Sequence, residues 1–262
     1  MTKMLGFERK AEIANILDRS GKIDVASLSE RFGVCKETIR RDLRDLEKDG
    51  SIKRTHGGAV IDLAAPRAQA EFPISVREIQ RQEEKLVICR RAASMIADGD
   101  TVFMDNSSTT LYLIRHIPKD IQVCIVTNSL KILLEALRVR NPNLQFICLG
   151  GEFKDSNMSF SGAIPQRIAK DYFPSKAFMS CASISEQQRL TDSSAAEVDT
   201  KRMMIERSQS VIILADHTKF SRMGQVFLSD FTAIDFIVTD PKTELSALDY
   251  IKKYDTKLIV AE

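Results

Sequence analysis

The sequence predicts an α/β fold preceded by a small helical head, and three observations carry that reading. Apolar residues recur at helical spacing through the start of the chain, in runs broken by glycines. From residue 101 onward, short β-rich apolar runs alternate with helical patterns. Between the two lies "DLAAPRAQAEFP", Asp62 to Pro73, with small residues, two prolines and no sustained period. A chain of 262 residues, 44% of them hydrophobic, has the length and apolar content for about two domains. The expected division is a head over 1–60, a linker over 61–82 and an α/β domain over 83–262.

The head's elements follow in order. Phe7, Ala11, Ile13, Ala14, Ile16 and Leu17 mark a first helix, ended by Gly21. Val25, Leu28 and Phe32 mark a second, stopped by Gly33, and a third runs from Lys36 to Asp49 with Gly50 as terminator. Helix, tight glycine turn and helix form a helix-turn-helix. "SIKRTHGGAVI" then supplies a strand-like start and a Gly57-Gly58 turn, which makes the unit a winged helix-turn-helix.

In the second domain the expected strands are Thr101 to Met104, Val123 to Val126, Leu144 to Leu149, Lys176 to Ser183, Val211 to Ala215, Phe236 to Val238 and Lys257 to Val260. The expected helices are Leu111 to Ile117, Leu130 to Val139, Ile164 to Asp171, Ala195 to Ser208 and Leu245 to Lys253. Such alternation implies a largely parallel sheet covered on both faces, with binding at the carboxyl ends of the strands.

Charge points to a partner for the head. Residues 1–60 hold 13 Lys and Arg against 10 Asp and Glu, a net +3, while the other 202 hold 25 against 26. On a wheel of 100° per residue, Ile39, Leu43 and Leu46 lie within about 60° of one another, and Arg41, Arg44, Lys48 and Glu37 lie opposite. The apolar stripe docks on the first two helices. Placed in a DNA major groove, Lys36, Glu37, Thr38, Arg40 and Arg41 are the candidates to read base edges. Arg44 and Lys48, with Lys53, Arg54 and His56 of the wing, are candidates for phosphate contacts. The alternative is a solvated face in which Arg41 with Asp45, or Arg40 with Asp42 and Asp45, screen one another.

The run "VCKETIRRDLRDLEKDGSIKRTHGGA", Val34 to Ala59, resembles the N-terminal signature of the DeoR family of bacterial transcription regulators. The blocks "TIRRDL" (Thr38 to Leu43) and "RTHGGA" (Arg54 to Ala59), and the spacing between them, carry the resemblance. Where the family usually has a hydroxyl residue, this chain has Cys35, a weaker helix cap or a redox-sensitive thiol. The resemblance extends over essentially the whole chain. It implies a Rossmann-like sensor domain resembling ribose-5-phosphate isomerase, whose usual ligand is a phosphorylated sugar or polyol.

Within that domain "DNSSTT", Asp105 to Thr110, follows a strand and leads into a helical segment. Hydroxyls and free N–H groups there suit a phosphate, so Ser107, Ser108, Thr109 and Thr110 are phosphate-loop candidates, the alternative being a plain Ser/Thr cap. The family commonly has glycine where this chain has Ser107. "TNS" (Thr127, Asn128 and Ser129) and the pair Gly150 and Gly151 match further blocks of these sensors. "ADHTKF" resembles a block ending in a lysine, which makes Lys219 a candidate for the phosphate, with Asp216 and His217 shaping the turn. Asp105, Asp192 and Glu197 are candidates either to bind sugar hydroxyls or to hold the lysine.

The expectation is a transcription regulator that represses a carbohydrate-use operon, binds double-stranded operator DNA, and answers to a phosphorylated sugar or polyol. A homodimer or homotetramer matches repeated half-sites, and the segment Phe72 to Lys85, with Arg77, is the expected transmitter. An isomerase-like enzyme fused to a DNA-binding head is the alternative, with Asp105, Asp192 or Glu197 moving the proton. A DNA-compacting protein without an effector comes third. No cofactor, metal or catalytic residue is expected. Five scattered cysteines without a CxxC pair, and no apolar run of spanning length, suggest a cytoplasmic protein with reduced thiols and no membrane segment.

Overall fold

The computed structural model describes residues 6–48, 52–60, 72, 74–187, 189–221 and 224–262. The chain divides between Gln80 and Arg81 into two compact units. Gly50, and most of the stretch from Asp62 to Pro73, lie outside the described residues.

The first unit runs α1 (Gly6–Ser20), β1 (Lys22–Asp24), α2 (Val25–Phe32), α3 (Lys36–Lys48), β2 (Lys53–Arg54), β3 (Gly58–Val60) and α4 (Ile74–Arg77). Ile13, Leu17, Leu28, Ile39, Leu43 and Leu46 form its core at 3% exposure or less, as the helical spacing requires. Asp24 caps α2, its Oδ1 accepting from the N–H groups of Ala26 and Ser27 at 2.8 and 2.9 Å, and Gly33 closes the helix in a left-handed conformation. The wing is a three-stranded antiparallel sheet of order β1-β3-β2. Gly58 is fixed by close approach: a Cβ there would stand 1.9 Å from the Ile23 carbonyl oxygen. The expected linker carries structure where it is described. Val76 of α4 is buried in the first unit's core, and a helix begins at Gln82.

The second unit continues with α5 (Gln82–Ala93), β4 (Thr101–Met104), β5 (Val123–Thr127), α6 (Leu130–Val139), β6 (Leu144–Cys148), β7 (Glu152–Lys154), β8 (Ser159–Ser161), α7 (Ala163–Ala169) and β9 (Lys176–Met179). It ends with β10 (Ser183–Ser185), β11 (Arg189–Asp192), α8 (Ala195–Arg207), β12 (Ser210–Leu214), β13 (Val226–Ser229), β14 (Phe236–Thr239) and β15 (Lys257–Val260). Seven strands make one parallel sheet of order β15-β14-β12-β9-β4-β5-β6. Alternate residues feed two cores: Val102 and Met104 of β4 enter one, Phe103 the other. Both faces are therefore covered, as expected.

Three expected elements differ. Residues 110–115 and 245–253 are 3-10 helices rather than α-helices. In the first, Leu111, Tyr112, Leu113 and Ile114 are all buried, so no amphipathic face sets an α period; in the second, Leu248 and Ile251 are buried three residues apart, the 3-10 repeat. The expected strand Lys176 to Ser183 stops at Met179 and resumes as β10 in a separate antiparallel sheet of order β10-β11-β13.

The sheet order reverses between β4 and β9, because the chain builds from β4 towards β6 on one side and from β9 towards β15 on the other. Such a switch point opens a crevice at the carboxyl ends of the two strands. Asp105 and Ser180 stand there.

Candidate functional site

On the winged helix, the α3 face predicted for DNA is the exposed one. Lys36, Glu37, Arg40, Arg41 and Arg44 are exposed and Thr38 partly so, while Ile39, Leu43 and Leu46 face inward. The screening alternative does not form. Asp42 is turned into the unit, where it takes the Arg9 guanidinium through two bonds of 2.6 and 3.2 Å, and Asp45 takes Lys10 at 3.4 Å. Both carboxylates are thus committed to α1. Glu37 ties Arg44 at 2.6 Å and Arg40 at 3.5 Å, whereas Lys36, Arg41, Lys53 and His56 have no ion-pair partner among the described residues. Arg54 is held by Glu47, which accepts from its backbone N–H at 3.0 Å and its Nε at 2.5 Å, fixing the wing to α3. Cys35, just before α3, is exposed; its Sγ lies 3.2 Å from the Thr38 hydroxyl, and the side-chain and backbone bonds of Thr38 hold the thiol below its usual pKa.

At the switch point, Asp105 links the two central strands. Its Oδ2 accepts the Ser180 N–H at 3.0 Å, while its Oδ1 accepts the Ser107 N–H at 3.1 Å and the Thr110 hydroxyl at 2.9 Å. The lysine that Asp105 and Asp192 hold is Lys201, not Lys219. Lys201 Nζ donates to Asp192 at 2.6 Å and to the Ser180 carbonyl at 3.0 Å, and forms an ion pair with Asp105 at 3.0 Å, so two carboxylates share its charge. Burial opposes that charge, but the pull of Asp192 and Asp105 outweighs it and holds the ammonium well above the ordinary lysine range. Burial likewise opposes ionisation of Asp192, and Lys201 outweighs it, keeping that carboxyl below its usual value.

The other predicted residues surround this network. Glu197, buried, accepts through Oε1 from Asn106 Nδ2 at 2.9 Å, Asn157 Nδ2 at 2.7 Å and the Ser159 hydroxyl at 3.1 Å. In the loop, Ser107 Oγ accepts the Thr110 N–H at 3.1 Å, and Ser108 Oγ accepts from Lys85 at 3.0 Å. The N–H groups of Ser108 and Thr109 meet no acceptor among the described residues. The loop thus offers two free donors in front of a 3-10 turn, not the open end of an α-helix. Thr127 and Ser129 are locally satisfied, the first accepting the Ser129 N–H and the second capping α6 at Ile132. Asn128 holds the Phe160 carbonyl of β8. Gly151 shapes the hairpin at φ 119°, where a Cβ would meet the Ser161 carbonyl oxygen and the Pro165 ring, each at 2.7 Å; Gly150 precedes it at φ 63°.

Lys219 is half-buried on a 3-10 turn, and its ammonium makes no ion pair or hydrogen bond among the described residues. Its charge is felt nonetheless. Burial raises the Asp216 pKa, but Lys219 and Arg81, the latter at 3.4 Å, overcome it and bring that carboxyl to about 2. His217 is structural, its ring nitrogen 3.1 Å from buried Asp240. A largely apolar groove of about 400 Å³, lined by Leu248, Ile251, Leu258 and Val260 among others, lies at the β15 edge, away from all of these groups.

Sequence reasoning missed Lys201, Asn106 and Ser180, and gave Lys85 only a transmitting role. A signal existed for both lysines. Lys201 falls in the buried stripe Val198-Lys201-Met204 of α8, and Lys85 in the stripe Lys85-Ile88-Cys89-Ala92 of α5. A cation among core-facing positions needs a buried anion nearby.

Among the described residues, no group of three or more His, Cys, Asp or Glu side chains is placed to hold a metal ion, and no helix is long and apolar enough to cross a membrane. The DeoR-like helix-turn-helix domain family matches residues 9–64, and the DeoR C terminal sensor domain family matches residues 80–241. The chain is 33% identical to the uncharacterized HTH-type transcriptional regulator YulB of Bacillus subtilis (strain 168), over 90% of each chain. It is 28% identical to the glycerol-3-phosphate regulon repressor of Escherichia coli (strain K12), over 96% of this chain and 97% of that one. A solved structure of ribose 5-phosphate isomerase A from Methanocaldococcus jannaschii is similar at a TM-score of 0.40 and 14% identity, over 54% of this chain and 55% of that one. With a winged helix whose basic face is exposed, a parallel-sheet domain after it in the sequence, and both family matches in place, the chain belongs to the DeoR family of DNA-binding transcription regulators.

Proposed function

We propose that this regulator represses a carbohydrate-use operon and that a phosphorylated sugar or polyol, bound at the switch-point crevice, sets its affinity for the operator. The observation that carries the reading is Lys219, a half-buried cation whose ammonium makes no ion pair or hydrogen bond among the described residues, together with a loop whose Ser108 and Thr109 N–H groups meet no acceptor among them. A phosphate supplies the acceptors both lack. The glycerol-3-phosphate named for the Escherichia coli relative is a compound of this class. Residues 1–60 bind DNA, 83–262 sense the effector, and 61–82 connect them. Lys36, Thr38, Arg40 and Arg41 read bases; Arg44, Lys48, Lys53 and His56 contact phosphates; Glu37 and Arg54 position their neighbours. The protein acts in the cytoplasm as a symmetric homodimer or homotetramer on paired half-sites. Ligand binds the DNA-incompetent state more tightly, by a coupling of about 1 to 3 kcal/mol.

Binding without turnover fits the carboxylates. Asp105 and Asp192 are neutralised by Lys201, and three donors converge on Glu197 Oε1, which supports a structural use of these carboxylates over proton transfer. The test is thermal stability with glycerol 3-phosphate and hexose phosphates. Ligand should raise the Tm of the natural protein but not of Lys219→Ala, each measured against its own ligand-free Tm. An unchanged ligand shift in Lys219→Ala removes that lysine from the site, and conversion of a sugar phosphate that is lost with one carboxylate would replace this reading by the enzyme.

A further inference from the structure

We infer that Arg81, the first residue of the second unit, carries the effector signal towards the DNA-binding unit through its ion pair with Asp216, the carboxylate that caps the turn bearing Lys219. The inference rests on the proposed phosphate site.

Asp216 and Lys219 belong to one small structure. Asp216, 2% exposed, accepts the Thr218 N–H at 3.0 Å and the Thr218 hydroxyl at 2.5 Å through Oδ1, and its carbonyl accepts the Lys219 N–H at 2.9 Å. Arg81 reaches the same two side chains: its Nε donates to Thr218 Oγ1 at 3.1 Å and lies 3.4 Å from Asp216 Oδ1. One buried carboxylate therefore sits in the fields of two cations, Lys219 and the arginine at the unit boundary, with Lys85 contributing less. An anion that takes the Lys219 ammonium draws that charge away from Asp216 and brings a negative charge beside it. The carboxylate then depends more on Arg81, and at low dielectric the change is felt strongly. Occupancy of the site and the strength of the Arg81 pair change together.

Arg81 is also where the backbone is strained. It holds φ 51° and ψ 41°, a left-handed conformation that a residue with a Cβ seldom adopts, and its carbonyl accepts the Lys85 N–H at 3.1 Å to open α5. The direction in which the chain leaves α5 is thus set by a conformation of raised energy, which the side-chain bonds of Arg81 offset. Strengthening or weakening those bonds shifts the balance between this joint and a relaxed one, as a two-state element requires. The start of α5 is moored twice more, Lys85 Nζ donating to Ser108 Oγ at 3.0 Å and Lys242 Nζ to Glu84 at 2.5 Å. Those bonds hold the helix itself; of the three, Arg81 occupies the residue at which the units divide.

The test measures the operator Kd of the full chain at fixed salt, with and without glycerol 3-phosphate, glucose 6-phosphate and fructose 6-phosphate, alongside the Tm shift that each compound gives. A compound that changes the operator Kd of the natural protein by about 5- to 150-fold should change that of Arg81→Gly by less than about twofold, while its Tm shift persists and reports a folded site. Glycine takes the left-handed conformation freely, so this variant removes the pair without straining the joint. By linkage, Arg81→Gly should bind the compound equally well with and without operator DNA. Lys242→Ala, which severs a neighbouring mooring, should keep the natural response. A full response in Arg81→Gly, or an equal loss in Lys242→Ala, overturns the inference and leaves the phosphate site standing. So does a compound that stabilises the natural protein without moving its operator Kd. Loss of the Tm shift in Arg81→Gly would make Arg81 part of the binding site and overturn its role as transmitter. If no compound stabilises the natural protein, the phosphate site falls and this inference with it.

Discussion

Carboxylates and cations meet in both units, but with opposite results at the functional surface. On α3 the acidic side chains Asp42 and Asp45 turn towards Arg9 and Lys10 of α1, and Lys36 and Arg41 are left exposed without an ion-pair partner among the described residues. At the switch point Lys201 neutralises Asp105 and Asp192, while Lys219, whose charge lowers Asp216, makes no ion pair or hydrogen bond of its own among the described residues. The first arrangement presents charge to a large polyanion in high dielectric, where salt screens it. The second builds a low-dielectric frame in which one cation outside the Lys201 cluster can select one small anion. Equal numbers of charged residues could not have distinguished these roles; the location of each partner does.

The largest effect should come from breaking the buried frame. Lys201→Met leaves two buried carboxylates without their cation and should cost about 3 to 5 kcal/mol in urea unfolding, with Arg9→Met comparable in the first unit, where it strands Asp42. A loss below about 1 kcal/mol at either site would mean that the pair organises nothing. The pH dependence is smaller. Asp216 has a folded pKa of about 2 against an ordinary 3.8, so its contribution is present above the ordinary value and is lost as pH falls towards 2. The amount is about 2 kcal/mol. Asp216→Asn should flatten that part of the acid unfolding profile, and an unchanged profile would contradict the pairing with Lys219 and Arg81.

On the exposed side, the effects belong to DNA rather than to stability. Arg41→Ala should cost about 1 to 3 kcal/mol on the operator and much less on random DNA, with an unfolding midpoint close to the parent's. Lys53→Ala should weaken both DNAs alike and lower the salt slope by about one unit. Equal losses for both variants on both DNAs would erase the division between reading and positioning.

Much of this was legible in the sequence where burial follows a period. Ile39, Leu43 and Leu46 announced α3 because a two-sided helix must repeat its apolar positions, and the strands that entered the parallel sheet were visible as short apolar runs. Helix α5 was missed because its buried stripe contains Lys85 and Cys89, which dilute the period. The hairpin β7–β8 and the pair β10–β11 escaped because strands of three or four residues, rich in Ser, Thr and charged side chains, have too few apolar positions to alternate. The crevice was half legible: Asp105, Asp192 and Glu197 stood out as carboxylates, but the identity of their partners depends on pairings 75 to 91 residues apart in the chain, such as Asp105 with Ser180 and Asn106 with Glu197, which no local pattern encodes.

The most direct test is operator affinity of the full chain, measured while candidate sugar and polyol phosphates are titrated in at fixed salt. One of them should shift the operator Kd by about 5- to 150-fold, and the shift should vanish in Lys219→Ala while ligand-free operator binding persists. An operator Kd that stays constant under every phosphorylated carbohydrate, at concentrations that saturate the crevice, would contradict the account.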